Sequence, residues 1–172
     1  MGRLGTPNPA VAGKQLEFMQ ALATESSVSP RLRELLRLRI AFHNQCRSCM
    51  ALRYEEAIAD GVTEDLVCSL EKPQEADDLT DGERAALRFA DLFANNHLAI
   101  DDPLLERLGA CFTDRQVFEI GMCCAAFVGF GRFAAVNRIT DDLPEEFRRE
   151  SEEPLTPWGA TEVLVRRFNP SA

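Results

Sequence analysis

The chain is short of positive charge, of histidine and of uninterrupted apolar runs, and each shortage removes a class of function. Lys and Arg number 19 against 28 Asp and Glu, a formal net charge of −9, and no basic block interrupts the acidity. Nucleic-acid and anionic-membrane surfaces need clustered cations, so neither is expected as a partner. No apolar stretch approaches the roughly 18 residues of a membrane span, and the opening MGRLGTPNPAVAG has no continuous apolar segment of a secretory leader. Together these absences predict a soluble, cytoplasmic protein. Only two histidines occur, His43 and His97, and Cys123 and Cys124 are adjacent rather than spaced, so a closed zinc site built on Cys46 and Cys49 lacks its second half. No bound metal or cofactor is expected.

Also missing is any run of alternating Val, Ile and Thr, which leaves helical periodicity almost throughout and an all-α fold class. With 172 residues, 45% of them hydrophobic, the chain is long enough for one domain with a single core. That core is expected over about residues 15 to 140, followed by a charged tail over 141–172 that carries Pro144, Pro154, Pro157 and Pro170 and wraps a neighbour or the surface, with the lone Trp158 as its anchor. Leu16, Phe18, Met19 and Leu22 mark a short amphipathic helix. Ser29-Pro30 caps the next, over about 31 to 44, in which Glu34 sits among Arg31, Arg33, Arg37 and Arg39. After His43-Asn44-Gln45 the pattern resumes as one helix from Cys46 to Asp60, ending at Gly61. A short helix over Thr63 to Leu70 follows.

Thr80-Asp81-Gly82-Glu83 and Thr113-Asp114-Arg115-Gln116 both have capping-box spacing. The first opens a helix toward Asn95 and Asn96, and a short helix over Asp102 to Leu108 lies between the two. The second opens a segment, Val117 to Val136, that is apolar nearly all round, as a central buried helix or a pair broken at Gly129 and Gly131 would be. A degenerate internal repeat is also visible. At an offset of 85 residues, Glu34, Ala41, Phe42, Arg47 and Arg53 match Glu119, Ala126, Phe127, Arg132 and Arg138, which predicts that both segments run from a carboxylate helix through a break into a second helix.

Chemistry concentrates at Cys46 and Cys49. Positions three apart share a helix face, and the free N–H groups of a first turn favour a thiolate, so the pair reads as redox-active. Such a site needs a thiolate, a second thiol to resolve it and a group to move the proton; Glu34, twelve residues before Cys46, and His43, three before it, are candidates for the last. Arg53, one turn after Cys49, can lower a thiolate pKa by charge or simply pair with Glu56 or Glu34, and Tyr54 lies beside it. Cys68, Cys111, Cys123 and Cys124 sit in apolar company and read as small core residues. His97 reads as a helix C-terminal cap.

The segment from Arg31 to Gly61, with Glu34 and then Cys46-Arg47-Ser48-Cys49, resembles the carboxymuconolactone decarboxylase and alkylhydroperoxidase D family. That resemblance implies an antiparallel helical bundle assembling into trimers, hexamers or larger rings. It further implies Cys49 as peroxidatic thiolate, Cys46 as the resolving partner that closes a disulfide, Glu34 at the start of a proton relay, and a lipoylated protein as external dithiol donor. The helix-dipole argument alone favours Cys46, nearer the helix start.

One departure stands out: the family's relay histidine falls at position 53, where this chain has Arg53, and Ser48 stands where some members carry a histidine between the cysteines. Arginine does not shuttle protons near neutral pH. Either Arg53 activates the thiolate while His43 or Tyr54 with water handles the proton, or the pair serves another exchange reaction. The leading expectation is a thiol-dependent oxidoreductase reducing small hydroperoxides. The alternatives are a decarboxylase-like lyase acting on a carboxylated ring through Arg47, Arg53 and Arg132, and a non-catalytic oligomeric redox sensor.

Overall fold

A computed structural model describes residues 8–138, 140, 142–149 and 152–168; Asp141 and Pro170 of the expected tail lie outside the described residues. The chain forms α1 (Pro9–Thr24), α2 (Pro30–Asn44), α3 (Arg47–Ala51), β1 (Leu52–Tyr54), α4 (Glu55–Ala59), α5 (Glu64–Cys68), α6 (Asp81–Asn95), α7 (Asp102–Cys111), α8 (Asp114–Val136), α9 (Glu145–Arg148) and β2 (Leu164–Arg166). Single turns of 3-10 helix follow α5 and precede α7. The fold is all-α, as the periodicity predicts.

Local signals set most helix starts. Ser29 accepts a hydrogen bond from Leu32 N–H with proline at the first helical position, and both capping boxes, Thr80 with Glu83 and Thr113 with Gln116, close in both directions. The first helix is longer than its apolar pattern suggests. Asn8-Pro9 supplies the same cap-and-proline signal as Ser29-Pro30, and α1 begins there.

The centre of the bundle is α2 rather than α8. Leu35, Leu36, Leu38 and Ile40 have no exposed surface, and α2 packs most extensively on α8 and α6. Four arginines on a central helix are tolerated because each of them has a carboxylate or carbonyl partner. Arg31 pairs with Glu83, Arg37 with Glu34 and Arg39 with Asp91, while Arg33 donates to the carbonyls of Leu22 and Val28. A buried cation without such partners would cost several kcal/mol, roughly.

The long apolar helix departs from expectation in three ways. First, α8 is unbroken through Gly129 and Gly131. Gly131 answers a packing need: a methyl there would overlap the Asn44 amide nitrogen, which donates to Phe127 O at 2.9 Å. The predicted break in the second repeat copy is therefore absent. Second, α8 is not buried all round, since Phe118, Phe133 and Val136 are exposed. Third, its 23 residues, with a mean hydropathy of 1.5 over its most apolar window, are by length and composition enough to cross a membrane, contrary to the sequence expectation, although a third of that window is buried against the other helices.

The expected helix from Cys46 to Asp60 is also interrupted, by β1. Leu52, Arg53 and Tyr54 pair in parallel with Leu164, Val165 and Arg166 of the tail, so the chain leaves the helix to complete a two-stranded ladder. Only a partner 112 residues away could cause this. The described tail residues pack on this chain's own helices. The Trp158 ring lies 4.7 Å from that of Phe42 and within cation–π range of Arg39, and Phe147 is buried against Ala41, Met50 and Ala51.

Candidate functional site

The cysteine pair sits where α2 stops. Gln45 adopts a left-handed conformation (φ 49°) and is held there by its own side chain, which donates to Phe42 O at 2.7 Å and Leu155 O at 3.1 Å and accepts from Leu155 N–H at 2.9 Å. The chain then restarts as α3, with Cys46 at the N-cap and Cys49 in the first turn. The two sulfurs are joined, with the α-carbons 5.2 Å apart. Their exposures differ. Cys46 is fully buried, whereas Cys49 is half-buried beside the cluster of Ala41, Met50, Ala51 and Phe147.

Behind the pair lies a buried ion pair. Glu34 takes both Nε and Nη2 of Arg37, each at 2.7 Å, and Arg37 donates at 2.6 Å to the carbonyls of Cys49 and Leu52. Tyr54 N–H completes the carboxylate at 3.4 Å, and the Arg37 guanidinium stacks 5.2 Å from the Tyr54 ring. One arginine thus links Glu34 to the backbone of the cysteine turn. In the sequence Arg37 stands in a basic series, and its spacing of three from Glu34 is the one local signal of the pair. Burial works against the Arg37 charge, yet Glu34 beside it holds the pKa above its ordinary value. Burial likewise pushes the Tyr54 phenol up, with Arg37 opposing.

Glu34, Arg37 and Tyr54 form the polar floor of a cleft of about 450 Å³ counted to its mouth, walled by Met19, Leu22, Phe127 and Phe168. The ring of Phe168, from the tail, lies 5.7 Å from that of Tyr54 at a tilt of 59°, and the Phe168 N–H meets the Glu56 carboxylate at 3.3 Å. Neither cysteine lines this cleft. The chemistry read from the sequence is divided between the cleft and the neighbouring cysteine turn, with Arg37 between them.

His43 belongs to neither place. Its Nε2 lies 2.6 Å from Asp91 Oδ1, which Arg39 also binds at 2.6 Å. Burial resists ionisation of Asp91, but His43 and Arg39 outweigh it and keep the carboxyl below its ordinary pKa. Arg53 is fully buried and pairs with neither Glu56 nor Glu34. It binds both oxygens of Glu64, at 2.8 and 2.9 Å, and donates to the carbonyls of Met50, Leu52 and Pro157. In this position Arg53 ties the cysteine segment to the tail.

The remaining candidates scatter. Arg47 donates to the carbonyls of Phe147 and Arg148, and Arg132 to Asn44 and Ala94 O, so the three arginines proposed for a ring carboxylate do not converge. His97 is exposed within the turn before α7. Cys123 and Cys124 are buried, and burial pushes Cys123 up to about 11 and Cys124 higher still. Cys68 and Cys111 are exposed rather than in the core. Each ends a helix, at α5 and α7. Among the described residues no three His, Cys, Asp or Glu side chains come together in a way that could hold a metal ion.

Comparison with known proteins shows what the chain is similar to. Residues 9–92, just under half of the chain, match the family model of the carboxymuconolactone decarboxylase family. Two uncharacterized Mycobacterium tuberculosis proteins, from strains CDC 1551 / Oshkosh and ATCC 25618 / H37Rv, are each 33% identical over 105 residues, 60% of this chain and 36% of their own length. The matched region thus spans about a third of these curated relatives. The crystal structure of an Agrobacterium tumefaciens protein of unknown function, assigned provisionally as the antioxidant defence protein AhpD, superposes with a TM-score of 0.67 at 23% identity, over 81% of this chain and 94% of the other. At that identity the likeness speaks for the fold.

Proposed function

We propose, from the match of residues 9–92 to the carboxymuconolactone decarboxylase family, that this chain is a member of that family and a cytoplasmic thiol oxidoreductase which reduces small hydroperoxides with Cys49 and Cys46. The observation that carries this reading is the joined pair of unequal exposure at a helix start. A half-buried Cys49 can be reached by a small peroxide, while a fully buried Cys46 can be reached only by Cys49. Exposure therefore favours Cys49 as the attacking thiolate, although Cys46 is nearer the helix start.

In the proposed cycle the Cys49 thiolate attacks the distal peroxide oxygen, the O–O bond breaks, and the alkoxide leaves and takes a proton as Cys49 becomes a sulfenic acid. Cys46 then displaces hydroxide from Cys49 to form the disulfide and water. Two electrons and two protons from an external dithiol, the lipoyl group of a partner protein on this proposal, restore both thiols. Arg37 fixes the Cys49 backbone against Glu34. A homo-oligomer, trimer or hexamer, is part of the same proposal.

The test is peroxide consumption with dihydrolipoamide as reductant, for the wild type and for Cys46→Ser and Cys49→Ser, with mass spectrometry of the oxidised protein. Turnover in the wild type, lost in both variants, is the expected result. A disulfide that forms without turnover would sink the peroxidase and leave a redox sensor. One observation favours a second reading, a lyase for a small carboxylated ring: the cleft holding Glu34 and Tyr54 is not lined by cysteine. In that case both serine variants keep their activity and Glu34→Gln loses it.

A further inference from the structure

A second concavity lies between α6 and α7, apart from the cysteine turn and the cleft. It is an open groove of about 800 Å³ lined by Gln74, Asp81, Arg84, Arg88, Arg107 and Cys111, with Ala85 and Ala110 as its small side chains. Arg84 and Arg88, four apart on α6, form one wall; Arg107 and Cys111, four apart on α7, form the other. The arginines differ in what they bind. Arg84 is held by Asp81 at 2.6 Å and by the carbonyls of Ala76 and Leu79, so its charge is matched by Asp81. Arg88 and Arg107 are exposed, and neither makes an ion pair or a hydrogen bond with the described residues.

Two uncompensated guanidinium groups on one concave surface are unusual in a chain of net charge −9, where the other arginines of α2 and α6 are mostly spent on carboxylates or carbonyls. A cleft focuses the field of the charges that line it, and the planar guanidinium fork suits paired oxygens of a carboxylate or phosphate. The alanines keep the space between the walls open. We propose that this groove binds a small dianion, a phosphate ester or a dicarboxylate, with Arg88 and Arg107 each taking one charge and the anchored Arg84 lining the same wall. Nothing in this site depends on the peroxidase reading.

The test is calorimetric titration of the full chain with inorganic phosphate at a pH where it is a dianion and, separately, with succinate, at low and high salt, for the wild type and for Arg88→Ala/Arg107→Ala. Both substituted side chains are exposed and unpaired, so the variant is expected to fold. Salt-sensitive binding of at least one probe, weakened about tenfold or more in the double variant, is the expected result; which probe binds tighter tells phosphate from carboxylate. Cys111 gives an independent readout, because the bound anion should slow its alkylation by iodoacetamide while leaving the exposed Cys68 outside the groove unchanged. Binding of neither probe, equal binding by wild type and variant, or equal effects on the two cysteines would overturn the proposal.

Discussion

Glu34 and Glu119 occupy matching positions of the two repeat copies and have opposite fates. Glu34 is buried, locked to Arg37 and coupled through it to the cysteine turn. Glu119 faces the loop between α1 and α2, where it accepts from Ser26 Oγ and from Ser27 N–H and Oγ and pairs with Arg115. The helices beyond them diverge as well. After Glu34, α2 stops at left-handed Gln45 and the chain restarts at the cysteines; after Glu119, α8 continues through the equivalent stretch without a break. One pattern thus yields a turn that carries the cysteine pair in one copy and a continuous helix in the other. The difference lies in what each segment meets: Gln45 is gripped by the tail at Leu155, while Gly131 accommodates Asn44.

The largest effect should come from Arg37→Met, which leaves Glu34 buried without its cation and two carbonyls without a donor. A loss of about 3–5 kcal/mol in denaturant unfolding is expected. A loss below about 1 kcal/mol would mean that the Glu34 environment is far wetter than its burial suggests.

Next is Gly131→Ala. The added methyl must displace the Asn44 side chain from Phe127 O, at a cost of about 1–3 kcal/mol. Gly129→Ala, two residues away with open space around it, should instead stabilise α8 by about 0.5–1 kcal/mol. If both glycines respond alike, contact with Asn44 is not what separates them.

The smallest effect is a pH window. Hydrogen bonds from Ser27, then Arg115, pull Glu119 from an ordinary 4.5 down to about 2. A carboxylate whose folded pKa is depressed contributes stability above its unfolded value, and that contribution is lost as pH falls through the folded one. The stability gap between wild type and Glu119→Gln should be constant above pH 4.5 and close as pH falls toward about 2. A gap unchanged across that range would show that Glu119 titrates alike in the folded and the unfolded chain, and that its hydrogen bonds do not favour the carboxylate.

How much was legible follows from the range of each interaction. Ser29-Pro30, the two capping boxes and the Cys46–Cys49 spacing act within one helical turn, and each is read correctly from neighbouring residues. The same sequence gave no sign that Leu52–Tyr54 would leave a helix, because the strand exists only through Leu164–Arg166. His43 looked available to the cysteines and is bound to Asp91, 48 residues on; Arg53 looked like an activator and is spent on Glu64 and Pro157. Cys68 and Cys111 have apolar sequence neighbours yet face outward, since helix rotation decides which side of a turn meets the core.

By itself, then, the sequence determined the helical class, the helix starts and the cysteine spacing, all of which depend on backbone hydrogen bonds and side chains a few positions apart. Only the tertiary structure decided which cysteine is reachable, which arginines are consumed and which remain free, and which repeat copy breaks. Those outcomes depend on burial and on partners far along the chain, and a charged group settles on whichever opposite charge or carbonyl the packed helices bring to it.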